Sequence, residues 1–197
     1  MTGRFWFQML GHQAAGLGLA FLVALAPAVA SAQAPAQSAA AQAAPAAGVG
    51  PSGLPLPRFV SLKSDRVNLR AGPGTEYPSS WVFRRAGLPL EVTKEFETWR
   101  EVRDAEGTTG WVLQSFLSGR RTALIAPWDV KAGTEPPQVP VKSSDSASSR
   151  TVAMVEAGVI ANIQTCDSVW CDVTVAAFRG YIEQKKLWGV DIGEVIK

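Results

Sequence analysis

The chain is 197 residues long, with 19 Lys and Arg against 17 Asp and Glu, one histidine and two cysteines. A formal net charge of +2 over this length makes neither nucleic acid nor anionic lipid a default partner. One histidine and two thiols also leave little material for a four-ligand zinc site or an imidazole-activated nucleophile.

The first 32 residues read as a signal peptide. Arg4 supplies the positive start, residues Ala14 to Val29 form an apolar run, and Ala28-Val29-Ala30 and Ala30-Ser31-Ala32 each present the small residues that signal peptidase requires. We place the cut after Ala32, with Ala30 as the alternative. A retained transmembrane anchor is the rival reading, since the run approaches the roughly 20 residues that span a bilayer. Pro27 and the paired cleavage sites favour removal. A lipoprotein is excluded because no cysteine stands at the cut. Cleavage removes Arg4 and His12, leaving 18 basic and 17 acidic residues and no histidine. The expected location is periplasmic or secreted, without stable membrane insertion. Residues 33–57 are mostly Ala, Pro, Gln and Gly with no charge before Arg58, a composition that predicts a disordered linker.

From Arg58 the pattern changes to short strands. Residues 66–70, 81–85, 88–96, 99–103 and 109–113 are β-branched and aromatic runs separated by turn residues. Leu88, Leu90, Val92 and Phe96 are evenly spaced and are expected to share one sheet face. Gly72-Pro73-Gly74-Thr75 suits a type II turn and Asp104-Ala105-Glu106-Gly107 a type I turn. No helical periodicity is evident, so the predicted fold class is all-β.

The pattern then repeats. Ala86-Gly87, Trp99 and Val102 recur as Ala157-Gly158, Trp170 and Val173 at a spacing of 71, with Leu90 and Val92 answered by Val159 and Ala161, and Gly110-Trp111 recurs as Gly180-Tyr181 at 70. Upstream, Val67-Asn68-Leu69-Arg70 answers Val139-Pro140-Val141-Lys142 at 72. Two copies of one small β module are therefore expected, one over 58–120 and a divergent one over 121–197. The apolar stretch Leu124-Ile125-Ala126-Pro127-Trp128 predicts that they pack on each other.

At the 71-residue spacing Cys166 corresponds to Glu95 and Cys171 to Arg100. One copy has opposite charges where the other has two thiols, as positions facing across a hairpin would. In an oxidising compartment this predicts a Cys166–Cys171 disulfide. A metal pair or a nucleophilic thiol is disfavoured, because neither has a histidine to work with.

These residues resemble the bacterial SH3-like domain family of exported cell-envelope proteins. The first copy carries Val67-Asn68-Leu69-Arg70-Ala71-Gly72-Pro73-Gly74, Trp99-x-x-Val102 and Gly107-x-x-Gly110-Trp111-Val112, and the second is similar to a divergent form without the Asn, Arg and Gly-Pro-Gly. The resemblance implies two small β-barrels and a binding role directed at peptidoglycan or an envelope protein that works on it. The alternative is a periplasmic scaffolding protein with protein partners only. A small hydrolase using carboxylates is a distant third, because the acids are scattered and read as a solvated surface. No cofactor or metal is expected.

Candidate ligand-binding residues lie on the first copy. Asn68 and Arg70 either brace the loop from Ala71 to Ser80 or line a groove with Tyr77, Trp81 and Trp99. Bracing is the simpler reading for Asn68 and Arg70, and core packing the simpler one for Trp99 and Trp111. Tyr77 stands out as an aromatic in a Gly-Pro-Gly-Thr-Glu loop with little core within reach.

Overall fold

The structure is a computed structural model that describes residues 48–197. The signal peptide read at 1–32 and the first part of the linker, 33–47, lie outside the described residues. The remainder of that linker is not a free spacer: β1 (Gly48–Val49) pairs antiparallel with β2 (Pro55–Leu56). Between them, the Ser52 backbone N–H and hydroxyl donate to the Glu95 carboxylate at 2.9 and 2.8 Å. Composition measures only the apolar surface a segment carries itself, whereas this hairpin is held by charge-assisted bonds to a distant strand.

The first sheet contains β3 (Arg58–Leu62), β4 (Val67–Arg70), β5 (Ser79–Phe83), β6 (Pro89–Phe96), β7 (Trp99–Arg103), β8 (Thr109–Leu113) and β9 (Leu117–Ser118). Their order is β5-β4-β8-β7-β6-β3-β9. Period-two alternation turns Val60, Leu62, Val67, Leu69, Phe83, Leu90, Val92, Val102 and Val112 into one buried cluster. All six strands from β3 to β8 feed it, so the sheet curls around a common core, the economical solution for a module this small.

The second sheet contains β10 (Thr122–Ile125), β11 (Gln138–Lys142), β12 (Thr151–Glu156), β13 (Ile160–Asp167), β14 (Trp170–Val175), β15 (Phe178–Glu183) and β16 (Leu187–Trp188). Its order, β12-β11-β15-β14-β13-β10-β16, retraces the first strand for strand, and β17 (Val195–Ile196) adds to β13. The fold is all-β and duplicated. The duplication extends to irregularities. Register shifts fall between Leu69 and Arg70 and again between Val141 and Lys142, and between Val92 and Lys94 and again between Ile163 and Thr165. Single 3-10 turns follow at Gln114–Phe116 and Gln184–Lys186. Gly110 and Gly180 lie so close to the Arg70 and Lys142 carbonyl oxygens that a Cβ would overlap them.

The bulge at Val92/Lys94 overturns one expectation. An extra residue reverses the face of everything after it, so Phe96 turns outward and is 50% exposed while the Glu95 side chain turns in. The turn at Gly72–Thr75 also differs from the type II form. Gly74 is not at positive φ, and its N–H returns to the Gly72 carbonyl at 3.0 Å around Pro73. Both glycines serve close approach instead, with the Tyr77 ring against Gly72 and the Glu76 carboxylate against Gly74. The Asp104–Gly107 turn is as expected, with Gly107 at φ +87° and its N–H on the Asp104 carbonyl at 3.2 Å.

Glu95 faces Arg100 across β6 and β7, as Cys166 faces Cys171 across β13 and β14. The first pair is a salt bridge of 3.1 Å and the second a disulfide with Cα atoms 4.1 Å apart. Both long hairpins overhang their neighbours, and each overhang is covered: Ser52 reaches Glu95, while β17 pairs with Cys166 and Asp167.

The modules touch closely within one compact unit. Phe59 meets Trp188 edge to face at 5.3 Å, and the Arg121 guanidinium lies 5.9 Å from the Phe59 ring centre. The Thr122 hydroxyl donates to the Gly87 carbonyl at 2.8 Å, and Arg85 to the Gly158 carbonyl at 3.1 Å. The apolar stretch at Leu124 is thus accounted for: Leu124, Ile125 and Ala126 are buried as the first strand of the second sheet and its exit.

Candidate functional site

The polar face of β4 borders a cleft of about 260 Å³. Val67 and Leu69 point to the core, so Asn68 and Arg70 take the opposite face, and Arg66 just before the strand joins them at the same even spacing. Thr75 closes one side, and Trp99, Leu113 and Phe116 supply an apolar floor. Trp99 is largely buried, consistent with a core role, and also lines the cleft. Trp111 is half-buried and sits beside Arg70 in register.

Arg70 braces the loop. Its guanidinium donates to the Thr75 carbonyl at 3.0 Å and the Tyr77 carbonyl at 2.6 Å, which fixes the wall of the cleft. Lys142 does the corresponding work in the second module, donating to the Ser149 carbonyl at 3.1 Å. The Asn68 side chain, by contrast, is exposed and makes no hydrogen bond among the described residues, so its amide lines the cleft uncommitted.

The five residues singled out in the sequence do not form one surface. Asn68, Arg70 and Trp99 share the cleft. Tyr77, 41% exposed, packs over Gly72 and contributes its carbonyl rather than its ring to the wall. Trp81 pairs with Leu69 across β4 and β5, so it stands on the other parity from Asn68. It is 57% exposed and lines a separate cleft of about 550 Å³ with Phe83, Arg85, Leu88 and Leu124. Sequence reasoning missed Arg66, Leu113 and Phe116. The spacing Arg66, Asn68, Arg70 was a usable signal for the first, and nothing local marked the other two.

The acids are not all a solvated surface. The Glu95 side chain is 1% exposed and takes Arg58 at 2.7 Å besides Ser52 and Arg100. Burial alone would raise its pKa, but the bonds from Ser52 and Arg58 and the Arg100 charge prevail and lower it to about 2. A third cleft, of about 670 Å³, lies between the modules beside Phe59, Arg121, Asp191 and Glu194. There burial and the neighbouring Glu194 push Asp191 up. Glu194 itself is pushed up by burial but is held below its ordinary value by Arg121 and the Asp191 N–H. Among the described residues no group of three or more His, Cys, Asp or Glu side chains is placed to hold a metal ion.

No curated protein matches the sequence. Solved structures to which the chain shows some similarity include NlpC2 from Trichomonas vaginalis, at 12% identity and a TM-score of 0.30, covering 67% of this chain and 48% of that one. NlpC1 from the same organism shows 12% identity and a TM-score of 0.29, with coverage of 66% and 45%. An NlpC/P60 family protein from Bacillus cereus shows 9% identity and a TM-score of 0.29, covering 66% of this chain and 55% of its own. The chain thus spans about half the length of these proteins. The family model for the bacterial SH3 domain matches twice, over residues 63–119 and 137–189, each match falling on one of the two sheets. More than half of the sequence is covered by these two copies, and the chain belongs to the bacterial SH3 domain family.

Proposed function

We propose that the chain is an exported, non-catalytic binding module of the cell envelope whose first copy recognises peptidoglycan. The observation that carries this reading is the cleft that the uncommitted Asn68 amide shares with Trp99 beside a loop pinned by Arg70. A polar amide beside an aromatic side chain suits a sugar ring or a short peptide, which presents hydroxyl or amide groups as well as C–H groups. The size limits the ligand. A volume of about 260 Å³ is just under the range usual for small-molecule pockets, so the site takes one sugar or a dipeptide end rather than a long polymer segment.

Co-sedimentation with purified cell-wall sacculi tests the reading. The chain should pellet with sacculi, and Asn68→Ala should release it without lowering its melting temperature. Failure of the wild-type chain to pellet would leave the second reading, a scaffolding protein with protein partners only. The exposed Trp81 on the edge strand β5, beside the cleft of about 550 Å³ that it shares with Leu124, favours that alternative.

A further inference from the structure

A second cavity of about 230 Å³ lies on the first module, away from the Asn68 cleft, and is lined by Ser61, Leu62, Lys63, Ser118 and Arg120. Ser61 is fully buried, and its hydroxyl has no hydrogen-bond partner among the described residues. Its neighbours in register are Pro89, which has no N–H, and Ser118. An orphaned buried hydroxyl is costly and rare, and calls for an explanation. Two cations stand at the same cavity. The Arg120 guanidinium lies over Gly87, 3.3 Å from where a Cβ would sit, and the Lys63 ammonium donates to the Ser115 carbonyl at 3.1 Å, which leaves two of its protons uncommitted. Among the described residues, neither forms a salt bridge with a carboxylate.

The second module shows that the fold does not require this polar set. Its register places Leu124 where Ser61 stands and Trp188 where Ser118 stands, and the chain then sets Ala126 and Val190 in place of Lys63 and Arg120. Leu124, Ala126 and Val190 are buried apolar residues and Trp188 packs on Phe59. The same backbone is thus satisfied by apolar side chains in one copy and carries two hydroxyls and two cations in the other.

We infer that this cavity binds a small oxyanion, a phosphate or carboxylate group, through the Ser61 hydroxyl, Lys63 and Arg120. Arg120 supplies a planar fork suited to two oxygens, Lys63 a point charge, and Ser61 a donor in a dry position. The volume, close to that of the Asn68 cleft, admits the anionic group together with a small part of the molecule that carries it. The site is independent of the Asn68 cleft, so its test does not depend on sacculus binding.

The test follows backbone amide resonances of the purified chain while inorganic phosphate or sodium acetate replaces chloride at fixed ionic strength. Saturable shifts at Ser61, Lys63, Ser118 and Arg120, with Kd on the order of 1 mM, support the site. A response to phosphate alone points to a phosphate-bearing polymer, and one to acetate alone to a peptide carboxylate. Arg120→Gln and Lys63→Gln should each raise Kd about tenfold, the loss expected for one charge-assisted bond. Ser61→Ala should also weaken binding about tenfold while raising the melting temperature of the ligand-free chain, because it removes the orphaned hydroxyl. The inference is overturned if neither anion shifts these amides beyond chloride, if Arg120→Gln responds like wild type, or if Ser61→Ala gains stability with Kd unchanged.

Discussion

Replacing Glu95 with Gln removes the negative charge at the centre of the cluster formed by Ser52, Arg58 and Arg100. In the folded chain its pKa is lowered from 4.5 to about 2. At roughly 1.4 kcal/mol per unit, this difference corresponds to about 3 kcal/mol of stability. Breaking a buried pair by deleting one partner costs about 3–5 kcal/mol, and the lower end applies here because both guanidiniums keep other acceptors. Arg58 still reaches the Pro55 carbonyl, and Arg100 the Glu97 and Trp99 carbonyls and the Gln114 side chain. Because the folded pKa is depressed, the contribution is fully present above the unfolded value of 4.5 and fades as pH falls toward about 2. Urea unfolding of wild type and Glu95→Gln, followed by tryptophan fluorescence, should therefore differ by about 3 kcal/mol near pH 7 and converge near pH 2. Effects of other acids are common to both chains and cancel in the difference. A difference that stays constant from about pH 7 to about pH 2.5 would refute the reasoning, as would a loss below about 1 kcal/mol at neutral pH.

Two further outcomes separate core from surface and test the covalent cross-link. Trp99→Ala should cost about 3–5 kcal/mol in urea unfolding, the range for a buried aromatic, whereas Tyr77→Ala and Asn68→Ala should each cost under about 1 kcal/mol. The Cys166→Ser/Cys171→Ser double variant should lose about 2 kcal/mol, because the loop closed by five residues of sequence separation is short. It should remain folded by circular dichroism, and a thiol titration of the native wild-type chain should find no free cysteine.

Most of the architecture was legible because it was written twice. The drifting spacing of 72, 71 and 70 reappears in the register: Arg70 and Lys142 follow the first bulge, Val92 and Ile163 precede the second, and Gln114 and Gln184 open the 3-10 turns. The disulfide was legible for the same reason, since a Glu–Arg pair in one copy marked two facing positions in the other. What escaped was phase and reach. Alternation assigns faces only while a strand is regular, and a single bulge exchanged Phe96 and Glu95. Composition cannot show that a polar segment is tethered from outside, as residues 48–56 are by Glu95. The candidate site was half legible. Asn68 and Arg70 come together by parity, which also carries Trp81 away, while Leu113 and Phe116 arrive through the turn after β8.

The duplicated fold also acts as an internal comparison, because the two backbones agree in strand order, bulges and turns. Positions that the backbone dictates should then hold similar residues in both copies, and they do: Gly110 and Gly180 both meet a carbonyl, and Arg70 and Lys142 both pin a loop. Where the copies differ, the backbone is not the cause. Asn68 becomes Pro140, which can donate no hydrogen bond, and the Ser61, Lys63, Ser118 and Arg120 set becomes the apolar Leu124, Ala126, Trp188 and Val190. The second change runs from polar groups at a cavity in the first copy to packing groups in the second, whereas Pro140 stays exposed. Trp188 shows what the second copy gains, since its ring meets Phe59 of the first and helps join the modules. Under the function proposed above, this asymmetry would amount to a division of labour in which the first copy holds ligands and the second packs against the first.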